Sequence, residues 1–196
     1  MFRRSLILVA AAILIGAPSA GATVLAKIRV EGWTRTIFGP TNPRVSATNA
    51  LDALTNAGKA GEFFVHVTST SFGPYVDQVG FYGAFGSSGW AYKVNGVSPP
   101  VAADQYALKP GDKVLWYWAF FGLNGGPHTL QLTTAGGGCY RVTDQDDQGK
   151  ESFADGAVLH VDGRSVKAKL GRTCVGPHRG LVKATLKGEV RSNAVA

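Results

Sequence analysis

The chain has 196 residues, of which 45% are hydrophobic and 17% charged, with 26 glycines and a formal net charge of +7. That length suffices for one ordinary domain or two small ones, and two small ones fit better. The basic residues are scattered rather than clustered, which argues against a nucleic-acid footprint and points instead to anionic wall polymers or membrane surfaces as contacts.

Residues 1–22 read as a secretory signal: Arg3 and Arg4 form the positive start, Leu6 to Gly16 an apolar stretch, and Ala20-Gly21-Ala22 a small-residue cleavage site. The alternative, an uncleaved anchor, needs about 20 apolar residues, more than this run offers. Cleavage before Thr23 removes two arginines and lowers the charge from +7 to +5. No second long apolar run follows and no cysteine is placed to carry a lipid. The product is expected to be secreted or held at the cell surface without spanning the membrane.

From Thr23 to Val30 apolar residues alternate, as in a half-buried strand. A helix is expected over "SATNALDALTNAG", with Ser46 as N-cap, Ala50, Leu51 and Leu54 on one face, and Gly58 as the stop. Strands are expected over Gly61 to Ser69, with Phe63, Phe64, Val65 and Val67, over "GWAYKVNG" up to the turn signal Asn95-Gly96, and over Lys113 to Phe121 after the turn Pro110-Gly111-Asp112. Gly136-Gly137-Gly138 marks a break in composition, placing the domains at 23–134 and 135–196. In the second domain short strands such as "AVLHV", "SVKAKL" and "LVKATL" alternate with glycine turns, as in a small β-sandwich of immunoglobulin or transthyretin type. The fold class is therefore mainly β, with an α+β N-terminal part.

Cys139 and Cys174 are the only cysteines. In an exported protein such a pair is most simply a disulfide; the alternative makes Cys139 a nucleophile beside a histidine such as His178.

The pieces "KIRVEGWTRTIFGP", "ATNALDALTNAG", "GWAYKVNG" and "YALKPGDKVLWYWA", in this order, resemble the transcobalamin-like C-terminal domain family over roughly Thr23 to Thr133. The resemblance implies a β-grasp-like sheet with one helix and a ligand-facing β surface. Cobalamin or a related corrinoid is the ligand it implies, bound in relatives against a helical barrel that this chain lacks. Residues Cys139 to Val195, with "ADGAVLHVDGRSV" and "GRTCV", are similar to carboxypeptidase regulatory-like sandwiches.

The aromatic residues are the strongest functional hint. Tyr82, Trp90, Tyr92, Trp116, Tyr117 and Trp118 are the candidate ligand-binding residues, as a stacking platform on adjacent strands. In the strand from Lys113, Val114, Trp116 and Trp118 face one way and Leu115, Tyr117 and Ala119 the other. A single helix covers only one face, so the second face should either expose aromatics or pack on the second domain. The competing reading places the tryptophans in the core. Asp144, Asp146 and Asp155 carry the oxygen spacing of a calcium loop, but without flanking helices a solvated turn explains them as well. His66, His128, His160 and His178 show no paired metal spacing, and no serine sits in a nucleophile elbow.

These features predict a non-enzymatic module without a resident cofactor, binding a small molecule or a partner. The alternative is a structural or adhesive surface protein that contacts cell-wall polymer.

Overall fold

A computed structural model describes residues 21–122 and 125–196; nearly all of the expected signal segment, residues 1–20, lies outside the described residues. Among the described residues no helix is long and apolar enough to cross a membrane. The protein is mainly β with one helix.

The N-terminal part runs β1 (Val24–Glu31), β2 (Thr36–Phe38), β3 (Arg44–Ala47), α1 (Ala50–Ala60), β4 (Val65–Thr70), β5 (Gly73–Val79), β6 (Tyr82–Gly83), β7 (Ser88–Val94) and β8 (Lys113–Phe120). Its main sheet has the order β2-β1-β8-β7, with β3 also paired to β1, while β4, β5 and β6 form a separate small sheet. Strands β1 and β8 are parallel and bring Val30 opposite Trp116. Strands β7 and β8 are antiparallel, with Trp90 opposite Trp118 and Tyr92 opposite Trp116.

The helix starts later than its sequence suggests. Ser46 belongs to β3, where it pairs with Leu25, and the N-cap is Asn49. The Asn49 side-chain oxygen accepts from the Asp52 amide at 2.8 Å, and the Asp52 carboxylate accepts from the Thr48 amide at 2.9 Å. This reciprocal arrangement satisfies donors that the first turn leaves free. Gly58 lies inside the helix rather than after it. A Cβ there would stand 2.8 Å from Val65 Cγ2 and 3.1 Å from the Phe63 carbonyl oxygen, so glycine permits close packing on β4. The helix ends at Ala60, with the Gly61 amide donating to the Ala57 carbonyl at 2.8 Å.

The C-terminal part runs β9 (Thr129–Gly136), β10 (Cys139–Gln145), β11 (Glu151–Phe153), β12 (Val158–Val161), β13 (Arg164–Lys167), β14 (Arg172–Cys174), β15 (Val182–Thr185) and β16 (Ala194–Val195). One sheet joins β9, β10, β11 and β14, the other has the order β13-β12-β15-β16. Leu130, Leu132, Val142, Leu159, Val161 and Val182 are among the side chains that close the core between them. The glycine triplet forms a hairpin turn between β9 and β10. Gly136, Gly137 and Gly138 have φ of 82°, 58° and 71°, a region closed to most side chains, and they let β9 fold back on β10. The expected boundary at residue 134 falls within β9.

Cys139 and Cys174 form a disulfide between paired positions of β10 and β14. Both sulfurs are thereby committed, and no free thiol exists for a nucleophile. His178 instead takes part in a hydrogen bond of 2.5 Å with the Tyr140 hydroxyl.

Alternation along the main sheet decides what each face covers. Ala26, Ile28, Val30, Val94, Val114 and Trp116 join Leu54 and Ala57 of the helix in one core. On the reverse face Tyr117 and Ala119 pack with Val190 of the sandwich. The second face is therefore covered at Tyr117 and Ala119 by the segment after β15.

Candidate functional site at the domain junction

The junction is built from charge as well as apolar contact. Glu31, at the end of β1, is 0% exposed. Its carboxylate accepts from Lys183 Nζ at 2.8 Å, from Arg191 at 3.1 and 3.0 Å, and from the Thr36 hydroxyl at 3.0 Å. Arg29 lies 3.4 Å from the same carboxylate and donates to the Arg191 carbonyl at 2.7 Å. Burial holds both Arg29 and Lys183 below their ordinary pKa ranges, with Glu31 opposing the shift. A buried carboxylate among three cations is tolerated because each group has a charged or carbonyl partner. Lys93, also 0% exposed, reaches across to the carbonyls of Asp146 at 2.8 Å and Gln145 at 3.3 Å, and to the Asp147 carboxylate at 3.3 Å. Burial lowers its pKa, and Asp147 counteracts that.

Beside this charged seam the two domains leave a groove of about 700 Å³, lined by Trp33, Trp118, Phe120, Pro127, Leu186 and Val190, among others. Trp33 is 59% exposed and meets Trp118 edge to face, with ring centroids 4.8 Å apart. Its loop is fixed from behind: Arg191 donates to the Trp33 carbonyl at 2.9 Å and to the Gly32 carbonyl at 2.6 Å. Glycine at position 32 lets the Tyr82 ring pack against the backbone here, where a Cβ would collide with it. Trp118 donates its indole N–H to the Gly83 carbonyl at 3.0 Å, so its remaining interaction is through the ring. The groove thus offers aromatic surface held by satisfied polar groups and rimmed by Thr34, Thr185 and Glu189. A second cleft, of about 430 Å³, is lined by Arg29, Lys93 and Lys113, but two of these cations are already engaged in the seam.

The six aromatic candidates divide sharply. Trp90, Trp116 and Tyr117 are buried, at 8%, 3% and 1% exposure. The indoles of Trp90 and Trp116 donate to the carbonyls of Tyr82 and Ala50. Tyr92 stacks on Trp116 at 5.3 Å and donates its hydroxyl to the Val101 carbonyl. These four pack in the layer under the helix or at the junction. Trp118 lines the groove, and Tyr82, half-buried, shares a 2.7 Å hydrogen bond with the Thr34 hydroxyl at its rim. Sequence reasoning missed Trp33. Its signal was available in "VEGWTRT", where a tryptophan follows glycine just after an alternating strand, outside any strand that would bury it.

Further exposed aromatics cluster around the small sheet: Phe72, Phe81 and Phe85 are 94%, 86% and 87% exposed, with the Arg35 guanidinium 5.6 Å from the Phe81 ring centre.

The calcium-loop candidates do not converge. Asp146 accepts from the Gln148 and Lys150 amides at 2.9 and 2.8 Å, and Asp155 from the Leu170 amide at 2.7 Å. These carboxylates cap turns. Asp144 turns elsewhere, toward His128 at 2.9 Å, and together with Glu189 these ligand atoms lie within 4.8 Å of one another. The Glu189 carboxyl is raised in pKa by burial first and by the negative Asp144 second.

A family model described as a domain of unknown function, DUF4430, matches residues 47–119, from the end of β3 to the penultimate residue of β8. Among solved structures, haptocorrin in complex with Cbi is similar at 20% identity and a TM-score of 0.44, over 54% of this chain and 27% of that one. The chain thus spans about a quarter of the haptocorrin chain. No curated protein matches. What the chain shares with a known family is this DUF4430-like stretch, which contains the helix and Trp118 but not Trp33 or the sandwich.

Proposed function

We propose that the protein is an extracytoplasmic, non-catalytic binding module whose junction groove takes a small molecule with an extended flat face. The observation that carries this reading is the exposed Trp33 set against Trp118 in a concave space of about 700 Å³. Ligand sites of this kind are concave, about 300–1,000 Å³, and mostly apolar with a few fixed polar groups. A large aromatic exposed in a concavity is a better ligand surface than one on a flat sheet. The groove is open on one side, so it would cover one face of a ligand, and a corrinoid, the ligand implied by the sequence resemblance, is the first to try. A disulfide and the signal-like N-terminus support an oxidising, extracytoplasmic location.

The exposed Phe72, Phe81 and Phe85 favour a second reading, contact with a partner protein or a wall polymer through the small sheet. Tryptophan fluorescence titrations with cobalamin and with soluble wall glycans separate the two. Only Trp33 and Trp118 of the 4 tryptophans line the groove. Saturable quenching by cobalamin that weakens at least tenfold in Trp33→Ala, with unchanged far-UV circular dichroism, is the expected result. Quenching that persists in Trp33→Ala, or a response to glycans abolished by Phe81→Ser, would move the site to the small sheet.

A further inference from the structure

Three chain segments far apart in sequence place an imidazole and two carboxylates together at one end of the sandwich. The Val190 amide donates to the His128 carbonyl, and the Leu130 amide to the Val190 carbonyl, both at 2.9 Å. This pairing holds the segments of His128 and Glu189 side by side. Strand β10 lies along β9 with Asp144 opposite Leu130, and the Asp144 carboxylate meets His128 Nδ1 at 2.9 Å. One donor atom from each of the three residues falls within 4.8 Å of the others.

Two features of this cluster are unexplained by folding alone. Among the described residues, Glu189 Oε2 is cut off from solvent and has no hydrogen-bond partner, although a buried carboxylate oxygen left unpaired is destabilising. Two carboxylates also stand together with no Lys or Arg in contact among the described residues, Asp144 being paired only to His128. The nearby Lys93 does not resolve this, since its ammonium is held by the Asp146 and Gln145 carbonyls and Asp147. Access exists from outside: the His128 side chain is 50% exposed and that of Asp144 17%.

We propose that His128, Asp144 and Glu189 form a binding site for a divalent transition-metal ion of the zinc type. Imidazole nitrogen with carboxylate oxygen suits Zn²⁺, whereas calcium takes 6–8 oxygen ligands. Tetrahedral ligands about 2.0–2.2 Å from zinc stand roughly 3.3–3.6 Å apart, and the donor atoms of this cluster lie within 4.8 Å of one another. The ion bonds to the Nδ1 lone pair of neutral His128, the ring proton residing on Nε2, and supplies Glu189 Oε2 with the partner it lacks. Three protein ligands leave a further position for water or for a donor atom of a bound molecule, and Glu189 also lines the junction groove. The trio escaped the sequence because its members come from the residue before β9, from β10 and from the segment after β15, with no common spacing.

Isothermal titration of the metal-stripped protein with Zn²⁺ alone tests the site. Expected is one saturable Zn²⁺ per chain, weakened at least about tenfold in His128→Ala and in the isosteric Glu189→Gln. Replacement by Co²⁺ should give visible d–d absorption that His128→Ala removes. Both variants are checked by circular dichroism without metal, and Glu189→Gln keeps the shape of the side chain should His128→Ala fold poorly. Absence of saturable binding, binding unaltered by both substitutions, or displacement of Zn²⁺ by equimolar Ca²⁺ would overturn the proposal.

Discussion

The two cores of this protein solve the problem of small size in opposite ways. Under the helix the N-terminal core is filled by bulky aromatics, with Trp90, Trp116 and the Tyr92–Trp116 stack among alanines of α1. Large rings bury much area per residue, so one helix and one sheet suffice. The sandwich core is built mostly from Leu, Val and Ala, with Tyr140 as its aromatic member, and its short strands are tied by the Cys139–Cys174 disulfide. Where side chains are small, a covalent link limits the unfolded state instead. The two halves then meet through paired charges around Glu31 as well as through Tyr117, Ala119 and Val190, so the junction depends on complete pairing in addition to apolar area.

The sharpest way to break that arrangement is Glu31→Ala. It would leave Arg29, Lys183 and Arg191 facing one another with their shared carboxylate gone. Removing one partner of a buried ionic group costs about 3–5 kcal/mol. Chemical denaturation should show a loss of this size, with Trp33 and Trp118 emission changing because the groove shares Arg191. A loss below about 1 kcal/mol would mean that the seam is solvated and that the halves are joined mainly by Tyr117, Ala119 and Val190.

Replacing both cysteines by serine tests the other half. The bridge closes 35 residues of chain, a loop whose closure contributes about 2–4 kcal/mol. The expected loss falls on the sandwich, so hydrogen exchange should accelerate in β10, β12 and β15 more than in β1, β8 and α1. Equal acceleration in both halves would show that they unfold as one unit.

Much of this contrast was legible in the sequence. Alternation in β1 and β8 separated the faces correctly, and a lone cysteine pair in a glycine-punctuated region pointed to a disulfide. Local signals misplaced the helix start, because Ser46 and Asn49 are both good caps and only the pairing of Ser46 with Leu25 decides between them. The hairpin at the glycine triplet was not legible, because positive φ serves a tight hairpin as well as a linker. The site was the least legible part. Glu31 meets Lys183 across 152 residues, and aromatic composition cannot distinguish Trp116, under the helix, from Trp118, at the groove two residues later. Periodicity gives the face of a strand, whereas exposure depends on where the covering element ends.

The smallest effect sharpens the comparison at alkaline pH. Tyr92 belongs to the N-terminal aromatic layer and Tyr117 to the junction face, and both are raised to about 12, chiefly by burial. In the unfolded chain they ionise near pH 10. Between these values the native state holds protons that the unfolded state has released, so stability falls as pH rises. Their contribution is whole below about pH 10 and disappears through pH 12, with a slope of at most about 1.4 kcal/mol per pH unit for Tyr117 and a smaller one for Tyr92, whose greater exposure lets solvent screen it. Lys93 and Lys183, held below their ordinary range by burial, act with the opposite sign up to about pH 10.5, so the tyrosine contribution is clearest above that. An ultraviolet absorbance titration of the 6 tyrosines should show two late ionisations, one of which Tyr117→Phe removes. Tyr117→Phe should also flatten the fall in stability above pH 10.5 while changing neutral-pH stability little, because the ring keeps its packing against Ala119 and Val190. If Tyr117→Phe leaves both late ionisations in place, water reaches the junction face and its burial is not that of a core.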